Sequence, residues 1–201
     1  MIITTASFKG GVAKTTTAIH LAAFFQTKGK TLLIDGDPNR SATRWAERGS
    51  QQGGLSFKVV GVNQAARYST GIEHFVIDTE ARAEEEDLKE IVDGCDLLVL
   101  PTTPDTLSID ALIQTVELLQ ALGTDKYRIL LTRVPPNPRK EGEEAREFLT
   151  EAGFPLFKGK IREAVAFQKA ANEGVMVKDV SDRRAGLAWQ EYCAIGKEIV
   201  G

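Results

Sequence analysis

Short, continuously apolar runs recur along this chain, each followed by a longer amphipathic stretch. That alternation limits the fold more than any other feature. Runs such as Leu32-Leu33-Ile34 and Leu97-Leu98-Val99-Leu100 have no polar alternate face, so strands built from them must be covered on both sides. Strands are predicted at Met1–Ser7, Lys30–Asp35, Ser56–Val62, His74–Asp78, Asp96–Pro101, Tyr127–Thr132 and Pro155–Ile161. Helices are predicted at Lys14–Lys28, Ser41–Gly49, Ala83–Val92, Thr106–Leu122, Lys140–Ala152, Glu163–Glu173 and Asp182–Ile199. Strand alternating with helix implies α/β architecture: a mainly parallel, twisted sheet with helices on both faces. A chain of 201 residues suits one such domain over residues 1–201.

Composition excludes several classes. With 42% hydrophobic and 26% charged residues the chain is neither disordered nor fibrous. Lys and Arg total 25 against 28 Asp and Glu, a net charge of −3, so any affinity for nucleic acid or membrane must come from a local patch. No apolar run approaches the ~20 residues of a membrane span, and Met1–Ser7 does not read as a signal peptide. The two cysteines, Cys95 and Cys193, form no CxxC and are expected as reduced thiols in a cytoplasmic protein. His20 and His74 are expected as packing or surface residues. The proline-dense Pro135-Pro136-Asn137-Pro138-Arg139 is a surface connection, or else part of a nucleotide pocket or a dimer face.

Ser7-Phe8-Lys9-Gly10-Gly11-Val12-Ala13-Lys14-Thr15-Thr16 follows the first strand and opens the first helix, the context a phosphate loop requires. Glycines let successive amides point at one spot, and the helix N-terminus adds partial positive charge. Lys14 can reach the β- and γ-phosphates, the Thr15 hydroxyl can enter a Mg²⁺ shell, and Thr16 can bond an α-phosphate oxygen. Phe8 and Ala13 break the ordinary G-x-x-x-x-G-K-[ST] pattern. What stands here is K-G-G-x-x-K-T-T, with a second lysine five residues before the first. Six fixed residues at about 1 in 15 each arise by chance in roughly one chain in 10⁵ of this size.

This loop resembles the deviant Walker A box of the ParA/MinD ATPases, a family of P-loop NTPases. The resemblance implies that Lys9 crosses a dimer interface to the phosphates of the partner's ATP, while Gly10, Gly11, Val12, Ala13, Lys14, Thr15 and Thr16 cradle the chain's own nucleotide. Ala13 stands where the family more often has Gly, and it is expected to be tolerated because Ala forbids only a positive φ. Leu33-Ile34-Asp35-Gly36-Asp37-Pro38-Asn39 is similar to the family's D-x-D-P-Q segment. By that likeness Asp37 orients the attacking water, and Asp35 hydrogen-bonds around Thr15 and a magnesium-bound water. His74-Phe75-Val76-Ile77-Asp78 reads as a Walker B strand delivering Asp78 to magnesium. Glu80 and Ala81 replace the prolines usual in the second switch loop.

On the base side, Leu100-Pro101-Thr102-Thr103-Pro104-Asp105 resembles the family's P-x-x-P loop. Thr132 and Arg133 fall where the family reads or stacks on adenine, and Arg162 lies near the base. The resemblance covers residues 1–177. Cysteine spacing excludes iron–sulfur members, the lack of a tyrosine cluster excludes kinase members, and the single lysine in Ala188–Gly201 argues against a membrane-binding helix. What remains is a small partition-type ATPase without a sequence-reading DNA domain. Such an ATPase forms an ATP sandwich homodimer, binds non-specific DNA on the nucleoid, and releases when a cargo-borne adaptor stimulates hydrolysis. Carboxysomes are the expected cargo, with plasmid partition as the alternative. A metabolic P-loop ligase that makes no use of Lys9, and a binding module without turnover, are the readings from other classes. For DNA, Lys178, Arg183 and Arg184 form the densest positive group in the C-terminal third, followed by Lys158, Lys160 and Lys169. The competing expectation is a solvated helix start with Asp182 paired to an arginine.

Overall fold

The computed structural model of the chain describes residues 1–51, 53–81 and 85–201. Six strands, β1 (Ile2–Ser7), β2 (Thr31–Asp35), β3 (Lys58–Gly61), β4 (His74–Ala81), β5 (Leu97–Thr102) and β6 (Tyr127–Leu131), form one sheet in the order β3-β2-β4-β1-β5-β6. Every pairing is parallel. The chain leaves β1 for β2 on one side, then crosses from β4 over β1 to β5 on the other. The winding therefore reverses at β1, and the crevice beyond the carboxyl ends of the strands there is where such sheets place ligands.

Helices cover both faces. The helix α1 (Lys14–Gln26) packs on one face with α2 (Ser41–Gly49), α7 (Val165–Glu173) and α8 (Ala185–Val200). The other face carries α4 (Glu85–Asp93), α5 (Thr106–Ala121) and α6 (Glu141–Glu151). Ten of the thirteen residues of α1 are buried, which is why this helix is apolar nearly all round rather than on one stripe. Its partner α8 buries Tyr192, Ile195 and Gly196, so the C-terminal helix packs on its own sheet as its apolar spacing implied. Among the described residues no helix is long and apolar enough to cross a membrane.

Two expectations fail, each for a physical reason. Residues 155–161 are not a seventh strand. The segment touches β6 at isolated bridges, Ile129 with Leu156 and, beyond the strand's end, Val134 with Arg162. Between them the Lys158 and Gly159 amides turn to the Glu198 carboxylate of α8, each at 2.8 Å. Arg146 meanwhile donates to the carbonyls of Phe157 and Gly159, both at 3.0 Å. Side chains have taken the groups that a ladder would have used. The expected strand end at Val62 is instead the first residue of a short helix, α3 (Val62–Tyr68), which buries none of its residues. Asn63-Gln64-Ala65-Ala66-Arg67 lacks any apolar period, so its helix was not legible as an amphipathic one. The helix expected over Ala83–Val92 begins outside the described residues.

His20 occupies the centre of the α1–α8 layer. It is fully buried and stacks on Tyr192, with ring centroids 4.8 Å apart. Its Nδ1 lies 2.7 Å from the Thr16 carbonyl, and the Val177 amide donates to Nε2 at 3.2 Å. An N–H pointing at Nε2 needs a lone pair there, so the ring is neutral with its proton on Nδ1. Burial pulls its pKa down to about 4, with the Thr16 carbonyl opposing. Unfolding releases the ring to its ordinary value near 6.5. The stability from burying it neutral is therefore whole above about pH 6.5 and is lost as pH falls toward 4, by about 3 kcal/mol. Urea unfolding at pH 7 and pH 4.5 should show that loss, and His20→Gln, which cannot titrate, should show a shallower pH dependence. Equal slopes in the two proteins would refute the assignment.

Candidate functional site

The loop 8–13 leaves the carboxyl end of β1 and enters α1 without a capping side chain. Ala13 holds the cap position, no acidic residue lies in the first turn, and the first helical bond runs from the Thr17 amide to the Ala13 carbonyl at 2.9 Å. The amides ahead of it are donors without a helical acceptor, aimed where the dipole favours an anion. Gly11 sits at φ +83, and Ala13 at φ 63 in the left-handed region. This corrects the expectation for Ala13, which adopts the very conformation Ala disfavours, at a cost of roughly 1–2 kcal/mol.

Lys14, 7% exposed, points back into the sheet. Its Nζ lies 3.3 Å from Asp78 Oδ1 and donates to the Thr79 carbonyl. Asp78 is 0% exposed, and Thr5 Oγ1 on the neighbouring strand lies 3.3 Å from the same Oδ1. Among the described residues Asp78 Oδ2 has no hydrogen-bond partner. Burial pushes the Asp78 carboxyl up, while the Lys14 charge and the Thr15 hydroxyl favour its ionised form and Asp35 opposes it.

Asp35 pairs in register with Asp78 across β2 and β4, yet its oxygens are used in its own turn. Oδ2 accepts from the Thr43 amide and hydroxyl, each at 2.7 Å, and Oδ1 accepts from the Asp37 amide at 3.2 Å. Asp35 thus builds the loop that presents Asp37. Asp37 Oδ1 accepts from the Asn39 amide at 2.8 Å and from Asn39 Nδ2 at 3.0 Å, and the residue is half-exposed. With no proline after Asp78, β4 runs on to Ala81, which pairs with Ser7.

Lys9 reaches across the opposite edge of the loop. Its Nζ bonds Asp105 Oδ1 at 2.9 Å and Ser108 Oγ at 2.8 Å, at the start of α5. Burial pushes the Asp105 carboxyl up, but hydrogen bonds from Thr103, Ser108 and Lys9 outweigh it and hold the group well below the usual carboxylate range. Sequence reasoning carried Asp105 only as the last residue of the P-x-x-P-like loop, gave it no role, and did not name Ser108. Asp105-x-x-Ser108 was readable as a helix cap, and Asp105 does accept from the Ser108 amide at 3.1 Å, but nothing local pairs it with Lys9.

Beside the loop lies a cavity of about 310 Å³ lined by Gly11, Ala13, Thr16, Arg133, Phe167 and Gln168, among others. Arg162 also lines it, although its guanidinium and amide bind Glu191. Thr132 does not line it. It is fully buried, with its hydroxyl 2.9 Å from the Val12 carbonyl. Pro135, Pro136 and Asn137 line a separate groove of about 490 Å³ with Lys160 and Arg184.

Residues 3–177 match the family model described as the CobQ/CobB/MinD/ParA nucleotide binding domain. The chain belongs to this family. Maintenance of carboxysome distribution protein A of Gloeobacter kilaueensis is 37% identical over 196 residues, spanning 95% of this chain and 90% of that protein. In structure, the chain superposes on a chain of the MinC:MinD cell division complex of Aquifex aeolicus with a TM-score of 0.77 at 18% identity, covering 100% and 96% of the two chains. It superposes on apo McdA of Cyanothece with a TM-score of 0.75 at 19% identity, covering 100% and 99%. A variant of that Cyanothece protein has been solved with ATP. At such identities the structural likeness establishes the fold alone.

In this MinD/ParA-type domain the positive groups expected to touch DNA are also placed. Lys178 Nζ stands 5.6 Å from the centre of the Trp189 ring. Asp182 pairs with Lys169 at 2.9 Å and accepts the Arg184 amide, rather than holding an arginine side chain. Arg183 and Arg184 are exposed and have no carboxylate within 4.0 Å among the described residues.

The Lys14–Asp78 pair yields a test that needs no ligand. Removing one member of a buried pair leaves an uncompensated charge, typically at a cost of 3–5 kcal/mol. Lys14→Met should therefore lower urea stability by about that amount, and adding Asp78→Asn should recover part of the loss. A single variant as stable as the parent would contradict the geometry.

Proposed function

We propose that this chain is a ParA-type ATPase that positions a cargo, and that the cargo is the carboxysome. The single observation that carries the nucleotide reading is the uncapped start of α1, with its amides, the buried Lys14 and the unpartnered Asp78 oxygen converging at the end of β1. The 37% identity with the Gloeobacter kilaueensis protein supports the choice of cargo. In this reading the triphosphate lies on the loop amides, its base enters the cavity beside Phe167 and Gln168, and Lys14 swings from the Thr79 carbonyl to the phosphates.

Magnesium fits the same place. Among the described residues Asp78 Oδ2 is a buried carboxylate oxygen without a partner, and the Thr15 hydroxyl favours the ionised form of the same carboxyl. Among the described residues no cluster of three or more His, Cys, Asp or Glu could hold a metal; with few protein ligands, phosphate oxygens and waters would complete the shell, as is usual for Mg²⁺. When bound, the ion neutralises charge on the phosphate oxygens. Thr15 and Asp78 would hold it, Asp35 would fix the turn, and Asp37 would orient the water.

Lys9 can serve a partner's phosphates only by leaving Asp105 and Ser108. The contact is one-third exposed on the lysine side, which makes its release inexpensive. ATP binding then draws two copies together. A composite basic surface including Arg183 and Arg184 holds DNA phosphates without sequence preference, on the nucleoid of the cytoplasm. A cargo-borne adaptor stimulates hydrolysis and dissolves the dimer.

Asp37→Ala should bind ATP, dimerise and turn over at least tenfold more slowly, since general-base or water-orienting groups contribute about 10²–10⁴-fold. Lys9→Ala should bind ATP and remain monomeric. Light scattering with ATP, alongside phosphate release, checks both. A monomeric Asp37→Ala with parental turnover, or a dimeric Lys9→Ala, would overturn these roles.

Changing Arg183 and Arg184 together to Ala should leave ATP-driven dimerisation intact and flatten the salt dependence of DNA binding by roughly one unit for each phosphate no longer neutralised. Fluorescence anisotropy with two unrelated duplexes, with and without ATP, reads this directly. An unchanged salt slope would move the DNA surface elsewhere, with Lys158, Lys160 and Lys169 next to be tested.

A further inference from the structure

Of the three described residues outside glycine that stand in the left-handed region, two meet at the phosphate loop: Ala13, its last residue, at φ 63, and Arg133, beside it, at φ 48. Such conformations persist only where the surroundings over-determine them. Here the surroundings include the Glu163 carboxylate, 3.6 Å from Arg133 Nη2, and two bonds to the loop itself. The Thr132 hydroxyl lies 2.9 Å from the Val12 carbonyl, and Arg133 Nη1 donates to the Gly11 carbonyl at 3.1 Å. The hydroxyl is also 3.1 Å from the Thr102 carbonyl, but that acceptor already receives the Thr132 amide at 2.8 Å. Val12 is the carbonyl that needs the hydroxyl proton.

A trans peptide points its C=O and its N–H in opposite directions. The Gly11 carbonyl shares a peptide with the Val12 amide, and the Val12 carbonyl shares one with the Ala13 amide. Pinning these two carbonyls toward the end of β6 therefore turns the Val12 and Ala13 amides the other way, into the cradle. We infer that Thr132 and Arg133 are positioning residues for phosphate: they grip the outer face of the loop and so aim its amides inward. For Thr132 this replaces the role of base reader, since its side chain is wholly buried and lies outside the cavity that would take the base.

The inference rests on the nucleotide reading above, and its test separates the two. The full chain is titrated calorimetrically in EDTA with ATP, GTP and inorganic tripolyphosphate. A loop clamp acts on the phosphates, so Thr132→Val should weaken all three by the same factor, about tenfold for one missing hydrogen bond that leaves a buried acceptor. Thr132→Ser, which keeps the hydroxyl, should restore binding. Arg133→Met, at an exposed side chain where folding is not at stake, should also weaken all three in parallel and decides the matter if Thr132→Val does not fold. Amide resonances of Val12 and Ala13 should lose their tripolyphosphate-induced shifts in the weakened variants. Loss confined to ATP would make these residues base readers and overturn the clamp, as would unchanged binding of tripolyphosphate. A parent protein that binds none of the three would overturn the nucleotide reading itself.

Discussion

Lys14 and Asp78 meet where β1 and β4 end, both nearly removed from water, and the rest of the site is arranged around that contact. Burying two charges is costly, and the pair is sustained only by excellent surroundings. Those surroundings are present: the Thr79 carbonyl takes a second lysine proton, Thr5 stands in register with Asp78 and supports one carboxylate oxygen, and α1 carries Lys14 as its first residue. Among the described residues one oxygen is nonetheless left without a partner. A fold selected for stability alone would have filled that position with apolar side chains. A buried charge pair with spare bonding capacity, at the mouth of a parallel sheet, is what a site for a charged ligand requires.

The two halves of the sheet contribute different things to that site. From β2 and β4 come the carboxylates: Asp35 folds its own turn, Asp37 is offered half-exposed, and Asp78 is held deep. From β5 and β6 come groups that grip the phosphate loop and its flanking lysine. Asp105 and Ser108 hold Lys9, while Thr132 and Arg133 hold loop carbonyls. The loop is therefore held from the β5–β6 side, while Asp78 of β4 takes Lys14, the residue that follows it, from the other side of β1. Strain at Ala13 and Arg133 is tolerated because rigid strand ends anchor both partners.

What could be read from the chain and what could not divides along sequence distance. The phosphate loop, the Asp35–Asp37 turn and the Asp78 strand were legible because each is a local pattern whose spacing is its mechanism. Lys9's partner Asp105 lies 96 residues away, and Thr132 reaches a carbonyl 120 residues away. No periodicity reports such pairings, so Asp105 read only as the end of a P-x-x-P-like loop and Thr132 as a base contact. Residues 155–161 looked like a strand by composition, yet Glu198, some 40 residues on, took the amides at Lys158 and Gly159.

The sequence by itself determined that the chain must build a parallel sheet covered on both faces, and that a glycine-rich turn with two lysines must follow its first strand. Both are consequences of apolar spacing and of what short-range backbone geometry permits. Only the tertiary structure decided where each charge goes: Lys14 inward to Asp78, Lys9 sideways to Asp105, Asp182 to Lys169 rather than to an arginine. The reason is physical. Hydrophobic pattern is a property of one segment against water, whereas a charge or hydroxyl chooses among partners that exist only once distant segments have been packed together.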